Sequence, residues 1–543
     1  MQGRKKYHSF MKLPLWMELR GRESNWVQSI FIAFVLCAAC SPEKQEIKEI
    51  TKTPDNRPNI IFILADDLGW NEVGFNNENL KHTPNIDKLR SEGLSLTQFY
   101  VHAVCAPTRT AFLTGRYPFR TWTDWRSEDF GKPSYLKMLG LELTKNEAGA
   151  ETRRIHALAT EERTIAEALK EAGYFTAIAG KWGCGEWLPE HLPLGQGFMH
   201  QYGHYAWGID YNNYTIPHNA PARFAVYDWH RNQEPLQEQG YSTDLIANEV
   251  VRLLANHKEE QGDKPFFYYV PFNAIHGPLE DIPRYVDELG KRYAALKCFD
   301  EAVGRIVAAV EQYGYFDNTL IVFANDNGAI RDTMNAPYRG TKNTNYEGGV
   351  RAPCVLRWPG TIEPGSNSDA MIHITDFYNT LISVGGGSLQ QEQPLDGMDM
   401  TNVILEGTES EREEIIFEVS QSVRLPAIRQ GDYKLVGEEL YNIVEDPGEQ
   451  NDLAEAKSEL VKALKKRVEE VGLERPEMPD ISLLMTPALP WIYGQEENAK
   501  APQWVKNLVD EVRKTQPQEW AEGTTPWPQA PKDGKIIYTG DGR

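Results

Sequence analysis

The stretch HAVCAPTRTAFLTGRYPFR, from His102 to Arg120, carries a lone cysteine, Cys105, with Pro107 and Arg109 close behind it. No second cysteine stands near enough to suggest a zinc site or a redox pair. Three readings of Cys105 stay open on these residues: a packed thiol, a nucleophile, or raw material for a modified side chain. Other residues with chemical capacity cluster elsewhere. Asp66 and Asp67 are adjacent, Asp326 and Asn327 are adjacent, and Lys181, His276 and Lys342 each lie within two residues of a glycine. Taken singly, paired aspartates make a helix cap and Asp-Asn-Gly makes a turn. Taken together, three aspartates and an asparagine amide form a set of hard oxygen ligands that suits Ca2+ better than Mg2+. Burying three carboxylates together without a cation costs heavily. Two lysines, an arginine and a histidine beside them would hold a multiply oxygenated anion.

The elements that must position these residues follow from hydropathy. In NIIFILADDLGW an apolar run, Ile60 to Leu64, stops abruptly at Asp66-Asp67 and a glycine turn. That pattern marks a strand buried on both faces of a parallel sheet, with functional residues just past its carboxyl end. It recurs. RTIAEALKEAGYFTAIAGKWG reads as a helix and then a strand leading to Lys181. KPFFYYVPFNAIHGP leads to His276, and NTLIVFANDNG leads to Asp326-Asn327-Gly328. Helical segments such as AALKCFDEAVGRIVAAVEQYG separate the strands, so the expected fold is α/β with a mostly parallel, doubly covered sheet. A fifth segment, YRGTKNTNYEGGVRAP, presents Lys342.

Residues 57–405 read as this catalytic domain. From about residue 406 short antiparallel strands and an amphipathic helix, KSELVKALKKRVEEVG, suggest a smaller C-terminal α+β subdomain over 406–475. Residues 476–543 are rich in proline and tryptophan (Trp491, Trp504, Trp520, Trp527) and read as an extension wrapped over the body. At the other end, basic residues precede the apolar run SIFIAFVLCAAC, giving an export signal over 1–40 with Cys40 as a lipidation site and a polar tether over 41–56. The expected location is therefore outside the cytoplasm, in a periplasm or at an outer membrane or cell surface. Membrane contact is expected only through a lipid anchor at Cys40. The chain of 543 residues carries a net charge of −21, which argues against nucleic acid as a partner. A few local lysines and arginines still reverse the sign inside a cleft.

Cys-x-Pro-x-Arg followed by Leu-Thr-Gly-Arg resembles the signature of the formylglycine-dependent type I sulfatases. So do ADDLGWNEVGF, TPNIDKLRSEG, LKEAGYFTAIAGKW, FANDNGA, RGTKNTNYEGGVRAP and GDYKL…LYNIVEDPGEQNDLA, in order, from about Arg57 to Leu473. The wording looks closest to the arylsulfatase B-like branch, including QYGHYAWGIDYNNY. The resemblance implies the alkaline-phosphatase-like α/β fold. It also implies that a separate formylglycine-generating, sulfatase-maturating enzyme oxidises Cys105 to formylglycine (3-oxoalanine), whose hydrated form attacks sulfate and then expels it. By the same resemblance Asp66, Asp67, Asp326, Asn327 and the modified Cys105 bind Ca2+. Arg109 orients the nucleophile, Lys181 and Lys342 grip sulfate oxygens, and His276 protonates the leaving alcohol. The implied substrate is a sulfated carbohydrate, such as a sulfated algal galactan or a glycan bearing N-acetylgalactosamine 4-sulfate.

One position departs from the family pattern. Gly-Lys-Trp-His-x-Gly is usual, and this chain reads GKWGCG, with Gly183 in place of the histidine. His102, Glu186 or a water would then replace that histidine, or a bulky sugar would use the vacated space. Two other functions remain as alternatives: a phosphonate monoester or phosphodiester hydrolase of the same superfamily, and a catalytically impaired protein that binds sulfated glycans.

Overall fold

A computed structural model describes residues 57–121, 123, 141–145, 151–155, 157–185, 189–215, 227–279, 282–419, 424–475 and 502–515. The export signal, the tether, Glu186 and three of the four tail tryptophans (Trp491, Trp520, Trp527) fall outside the described residues.

The apolar run after Pro58 forms the strand Asn59–Ala65, at the centre of a ten-stranded sheet. In spatial order the strands are Ser366–Ser368, Leu94–Leu96, Cys354–Arg357, Thr319–Asn325, Asn59–Ala65, Phe266–Pro271, Phe175–Lys181, His200–His204, His230–Arg231 and Glu234–Pro235. The five strands from Thr319–Asn325 to His200–His204 are all parallel to their neighbours within that block. Antiparallel pairings flank it on both sides. This is an alkaline-phosphatase-like α/β fold.

Alternation along the central strand builds two cores. Ile61, Ile63 and Ala65 join one cluster, with side chains of the helices Pro84–Ser91, Ser242–Gln261 and Val286–Gln312. Ile60, Phe62 and Leu64 join the other, with the helices Cys105–Thr114, Ile165–Glu171 and Asp376–Val384. Period-two burial on both faces makes the run continuously apolar, and the chain turns polar only where the strand leaves the sheet. The helix Ile165–Glu171 starts where a capping box forms: Thr164 Oγ1 accepts from the Glu167 amide, and the Glu167 carboxylate accepts from the Thr164 amide.

Toward the C-terminus the strands Glu414–Glu418, Ala427–Gln430, Tyr433–Val436 and Glu439–Asn442 form an antiparallel sheet, covered by the helix Ser458–Gly472. Val461, Leu464, Val468 and Val471 of that helix pack with Tyr117 and Phe119, which follow the Cys105 helix. A buried polar cluster ties this sheet to the short helix Glu347–Val350 and the strand Phe99–Tyr100. Lys434 Nζ donates to Glu347 (2.9 Å), Tyr100 Oη donates to Glu347 (2.8 Å), and Arg429 pairs with Tyr100. In the tail, Trp504, Val505 and Leu508 of the helix Gln503–Thr515 pack on the first core, with Trp504 edge-on to Tyr227. Cys105, Cys184, Cys298 and Cys354 are all buried and form no disulfide.

Asp300, on the long helix Val286–Gln312, docks the N-terminus of the helix Pro84–Ser91. Its carboxylate accepts from the Asn85 amide (3.0 Å), the Ile86 amide (2.9 Å) and Asn85 Nδ2 (2.7 Å). Burial is the main cause that pushes its pKa up to about 6. A carboxyl whose folded pKa lies above its unfolded value adds stability below the unfolded value, near pH 4, and loses it as pH rises through the folded one. The Tm of the parent minus that of Asp300→Asn is therefore expected to fall by roughly 2 °C between pH 4 and pH 7. A difference independent of pH in parallel calorimetric scans would contradict this account.

Candidate functional site

Five chain segments deliver polar residues to one end of the parallel block, outside the carboxyl ends of the strands. Asp66 and Asp67 follow Asn59–Ala65, Asp326 and Asn327 follow Thr319–Asn325, and Lys181 ends Phe175–Lys181. His276 lies five residues past Phe266–Pro271, and Lys342 comes in on the loop before the short helix Glu347–Val350. Cys105 is the first residue of its helix and 6% exposed.

Arg109, one turn along that helix and fully buried, organises the floor. Its guanidinium donates to Asp326 Oδ2 (2.8 and 3.1 Å), to Asp66 Oδ2 (3.2 Å) and to the Lys181 carbonyl (3.1 Å). Thr108 Oγ1 donates to the Asp326 carbonyl (2.6 Å), a second tie between the helix and that strand end. Cys105 Sγ and carboxylate oxygens of Asp66 and Asp326 lie within 4.8 Å of one another. Lys181 Nζ donates to Asp66 Oδ2 (2.5 Å), and Lys342 Nζ donates to Asp67 Oδ1 (2.6 Å). His276 Nδ1 lies 2.6 Å from the Gly277 carbonyl, so that nitrogen carries the proton, and Nε2 sits 3.8 Å from Asp67 Oδ2. All nine residues singled out from the sequence therefore meet in one place.

Exposure rises from floor to mouth. The side chains of Asp66, Arg109 and Lys181 are 0% exposed, that of Lys342 is 11% and that of His276 is 15%. Burial works to raise the Asp66 pKa and is outweighed by Lys181, His276 and Arg109, so the group stays below the usual carboxylate range. Asp67 is likewise held low against burial, chiefly by Lys342. Asp326 goes the other way: burial first, then the Asp66 charge, push it up to about 7. Burial and the nearby Lys342 lower the pKa of His276.

The donor set fits a hard cation. Asp66 Oδ1 and Asn327 Oδ1 are buried oxygens with no hydrogen-bond partner among the described residues. The Asn327 amide is oriented by its nitrogen, which donates to Asp67 Oδ1 (2.7 Å) and the Gly328 carbonyl (3.0 Å). Buried acceptors without donors are rare in folded proteins, and carboxylate and amide oxygens are the ligands that Ca2+ takes. Asp66, Asp67, Asp326 and Asn327 would hold such an ion, next to Cys105.

Two residues that sequence reasoning passed over support this set. Asp67 has a left-handed backbone, with φ of 63°. Its carbonyl accepts from Arg292 Nη2 (2.7 Å), and Arg292 is itself held by Glu72 through two 2.6 Å bonds. Glu72 also accepts from the Gly69 amide (2.8 Å), closing the turn after the aspartates. No local signal marks Arg292, which sits on a helix more than 200 residues away in the chain. Gly183 has φ of 69°, and a Cβ there would lie 3.4 Å from Lys181 Cε and 3.5 Å from Arg109 Cδ. Its side-chain position therefore opens onto the site. The ring of His102, three residues before Cys105, stacks edge-on to His373 (4.9 Å) and Tyr117 (6.3 Å).

The sulfatase family model matches residues 58–387, and the model for the N-sulphoglucosamine sulphohydrolase C-terminal region matches 341–474. Arylsulfatase J of Mus musculus is 33% identical over 377 residues, which are 67% of this chain and 58% of that relative. N-acetylgalactosamine-6-sulfatase of Mus musculus is 30% identical over 401 residues, 69% of this chain and 71% of that protein. Among solved structures, Ps i-CgsB in complex with k-i-k-neocarrahexaose superposes with a TM-score of 0.64 at 24% identity, covering 86% of this chain and 99% of that one. The chain belongs to the sulfatase family.

Proposed function

We propose that this protein hydrolyses sulfate esters of a sulfated carbohydrate, with Ca2+ bound by Asp66, Asp67, Asp326 and Asn327 and with formylglycine made from Cys105 by a separate maturating enzyme. The observation that carries the reading is the placing of Cys105. It starts a buried helix, with its sulfur beside the carboxylates of Asp66 and Asp326, in a chain that aligns with sulfatases over most of its length. When present, the hydrated aldehyde supplies a hydroxyl nucleophile and Ca2+ supplies positive charge that favours its ionised form.

The chain's own residues do the rest. Lys181 and Lys342 each commit one N–H to a carboxylate, and an ammonium has three donors, so both retain donors for sulfate oxygens. Fixed donors of this kind stabilise charge as it moves during transfer. Arg109 spends its contacts on Asp66, Asp326 and the Lys181 carbonyl, which makes it a brace for the nucleophile's surroundings. His276 directs Nε2 into the site because Nδ1 is engaged at the Gly277 carbonyl. To protonate the departing alkoxide the ring must carry a proton on Nε2 as well as on Nδ1, and because burial and Lys342 disfavour that charged form it gives the Nε2 proton up readily. The exposure gradient orients the ester, with sulfate on the buried floor of Arg109 and Lys181 and the leaving group at the His276 mouth.

A carbohydrate substrate is supported by the similarity to an N-acetylgalactosamine-6-sulfatase over 71% of that protein. The half-buried Trp207 stands edge-on to His276 (5.9 Å), an aromatic face where a sugar leaving group would emerge. Export and lipidation at Cys40 remain part of this proposal. Among the described residues no helix is long and apolar enough to cross a membrane.

The first test is sulfate release from a panel of sulfated glycans by protein coexpressed with a formylglycine-generating enzyme. Release by the parent is expected, with Cys105→Ala at least about 10³-fold slower and His276→Ala about 10²- to 10⁴-fold slower. Faster turnover of aryl phosphonates than of any sulfate ester would refute the reading, as would glycan binding without release by protein whose aldehyde is confirmed by peptide mass. A second test follows from the Asp67 brace. Arg292→Met is expected to weaken Ca2+ binding about 10- to 100-fold in calorimetric titration, because the group holding a ligand in place is lost. Unchanged affinity would remove Arg292 from the ion's support.

A further inference from the structure

His204 ends the strand next to Lys181 and is fully buried. Neither of its ring nitrogens has a hydrogen-bond partner among the described residues. An imidazole wholly inside a protein normally bonds through at least one nitrogen, and leaving both unbonded is costly. The ring's surroundings point to a ligand. His204 is the ladder partner of Lys181 in parallel strands, so both side chains rise from the same face of the sheet, on strands about 5 Å apart. Lys181 reaches from that face to Asp66. Burial above all, with Lys181 and Arg109 acting in the same sense against Asp228, holds the His204 ring neutral, its pKa lowered to about 3. A neutral imidazole offers one donor and one acceptor.

Gly183 supplies the room. The Trp182 amide donates to the His204 carbonyl (2.9 Å) and the Gly183 amide donates to the Tyr205 carbonyl (3.0 Å), which zips residue 183 alongside residues 204 and 205. The nearest atoms to a Cβ on Gly183 belong to Lys181 and Arg109, at ordinary contact distance, so its side-chain position opens onto those two cations.

We propose that the imidazole of His204 donates a hydrogen bond to an oxygen of the sulfate group held by Lys181, in the space that Gly183 leaves open. This rests on the sulfatase reading for the identity of the anion. It makes His204 a further substrate-binding residue, and it accounts for a buried imidazole that has no hydrogen-bond partner among the described residues.

The test is calorimetric binding of inorganic sulfate to the matured, Ca2+-supplied protein, together with thermal melting in its absence. A hydrogen bond to a charged group corresponds to a roughly 10- to 100-fold change in affinity, so His204→Phe is expected to raise the Kd by that factor. His204→Gln, which keeps a donor, should recover part of the loss. The Tm of His204→Phe without sulfate should hold or rise, since two unbonded polar atoms leave the interior. A lower Tm with unchanged sulfate affinity would show a purely structural residue and overturn the proposal. A higher Tm with unchanged affinity would show that the ring bonds only buried water, and overturns it equally. In the unsubstituted protein, the ¹⁵N resonances of the His204 ring, assigned by their loss in His204→Gln, should move as sulfate is added. Fixed resonances at saturating sulfate count against the contact, and so does a parent that binds no sulfate. Because binding is read without turnover, a parent that binds sulfate through His204 yet releases none from any ester would sink the hydrolase reading alone.

Discussion

The side chain of Arg109 ties together four elements of this structure. A guanidinium carries its charge into the interior only where several acceptors receive it, since removing one partner from a buried ion pair typically costs about 3–5 kcal/mol. Here the acceptors come from the ends of three different strands: Asp66, Asp326 and the Lys181 carbonyl. Arg109 itself belongs to the helix that begins at Cys105. The brace therefore fixes Cys105 against both carboxylates and sets the depth at which Lys181 ends its strand. It also explains how carboxylates so close together persist. Three of them face three cations, and burial, with the Asp66 charge second, pushes Asp326 up to about 7 while Asp66 and Asp67 stay low.

What was legible in the sequence is what local patterning controls. An apolar run that stops at a pair of aspartates or at Asp-Asn-Gly announces a parallel strand end, and strand ends in such sheets converge on one crevice. Asp66, Asp67, Lys181, His276, Asp326 and Asn327 are visible on that ground, Lys342 stands out in a glycine-rich segment of its own, and the role expected of Cys105 comes only through the family resemblance. Arg292 is not visible, because its contact with Asp67 spans 225 residues and its own helix looks like any amphipathic helix. His204 lay inside a quoted segment, yet only strand register pairs it with Lys181. The segment Val286–Gln312 is also broken at Gly290, whose φ of 73° and ψ of 164° are not helical, so a short helical piece precedes the helix that the apolar periodicity marks. Helix ends of this kind are set by packing, which a single sequence does not display.

The smaller C-terminal sheet is part of the site's support. Lys342 lies on a loop whose neighbours are held from that sheet's side: Asn345 Nδ2 donates to the Leu425 carbonyl (2.8 Å), and Arg339 donates to Tyr441 Oη (2.8 Å) and the Glu449 carbonyl (3.1 Å). Beneath them Lys434, fully buried, is shared by Glu347 (2.9 Å) and Glu449 (3.1 Å). Separating the small sheet from the short helix Glu347–Val350 would strip Glu347 of its Lys434 partner, so the polar cluster favours one relative placement. The two family models overlap over residues 341–387, and Lys342 lies inside that overlap. The lysine at the mouth belongs to both regions by structure as well as by sequence.

A net charge of −21 looks ill-suited to the sulfated carbohydrate proposed as substrate. Screening resolves the conflict, because exposed charges act over roughly 10 Å at moderate salt while buried ones are screened far less. The cations that matter here sit where water is excluded, with Arg109 and Lys181 at the floor and Lys342 nearly so. A single sulfate that reaches them would meet strong, oriented donors, whatever the net charge of the chain as a whole. On the proposed reading, that placement favours an ester that enters sulfate first.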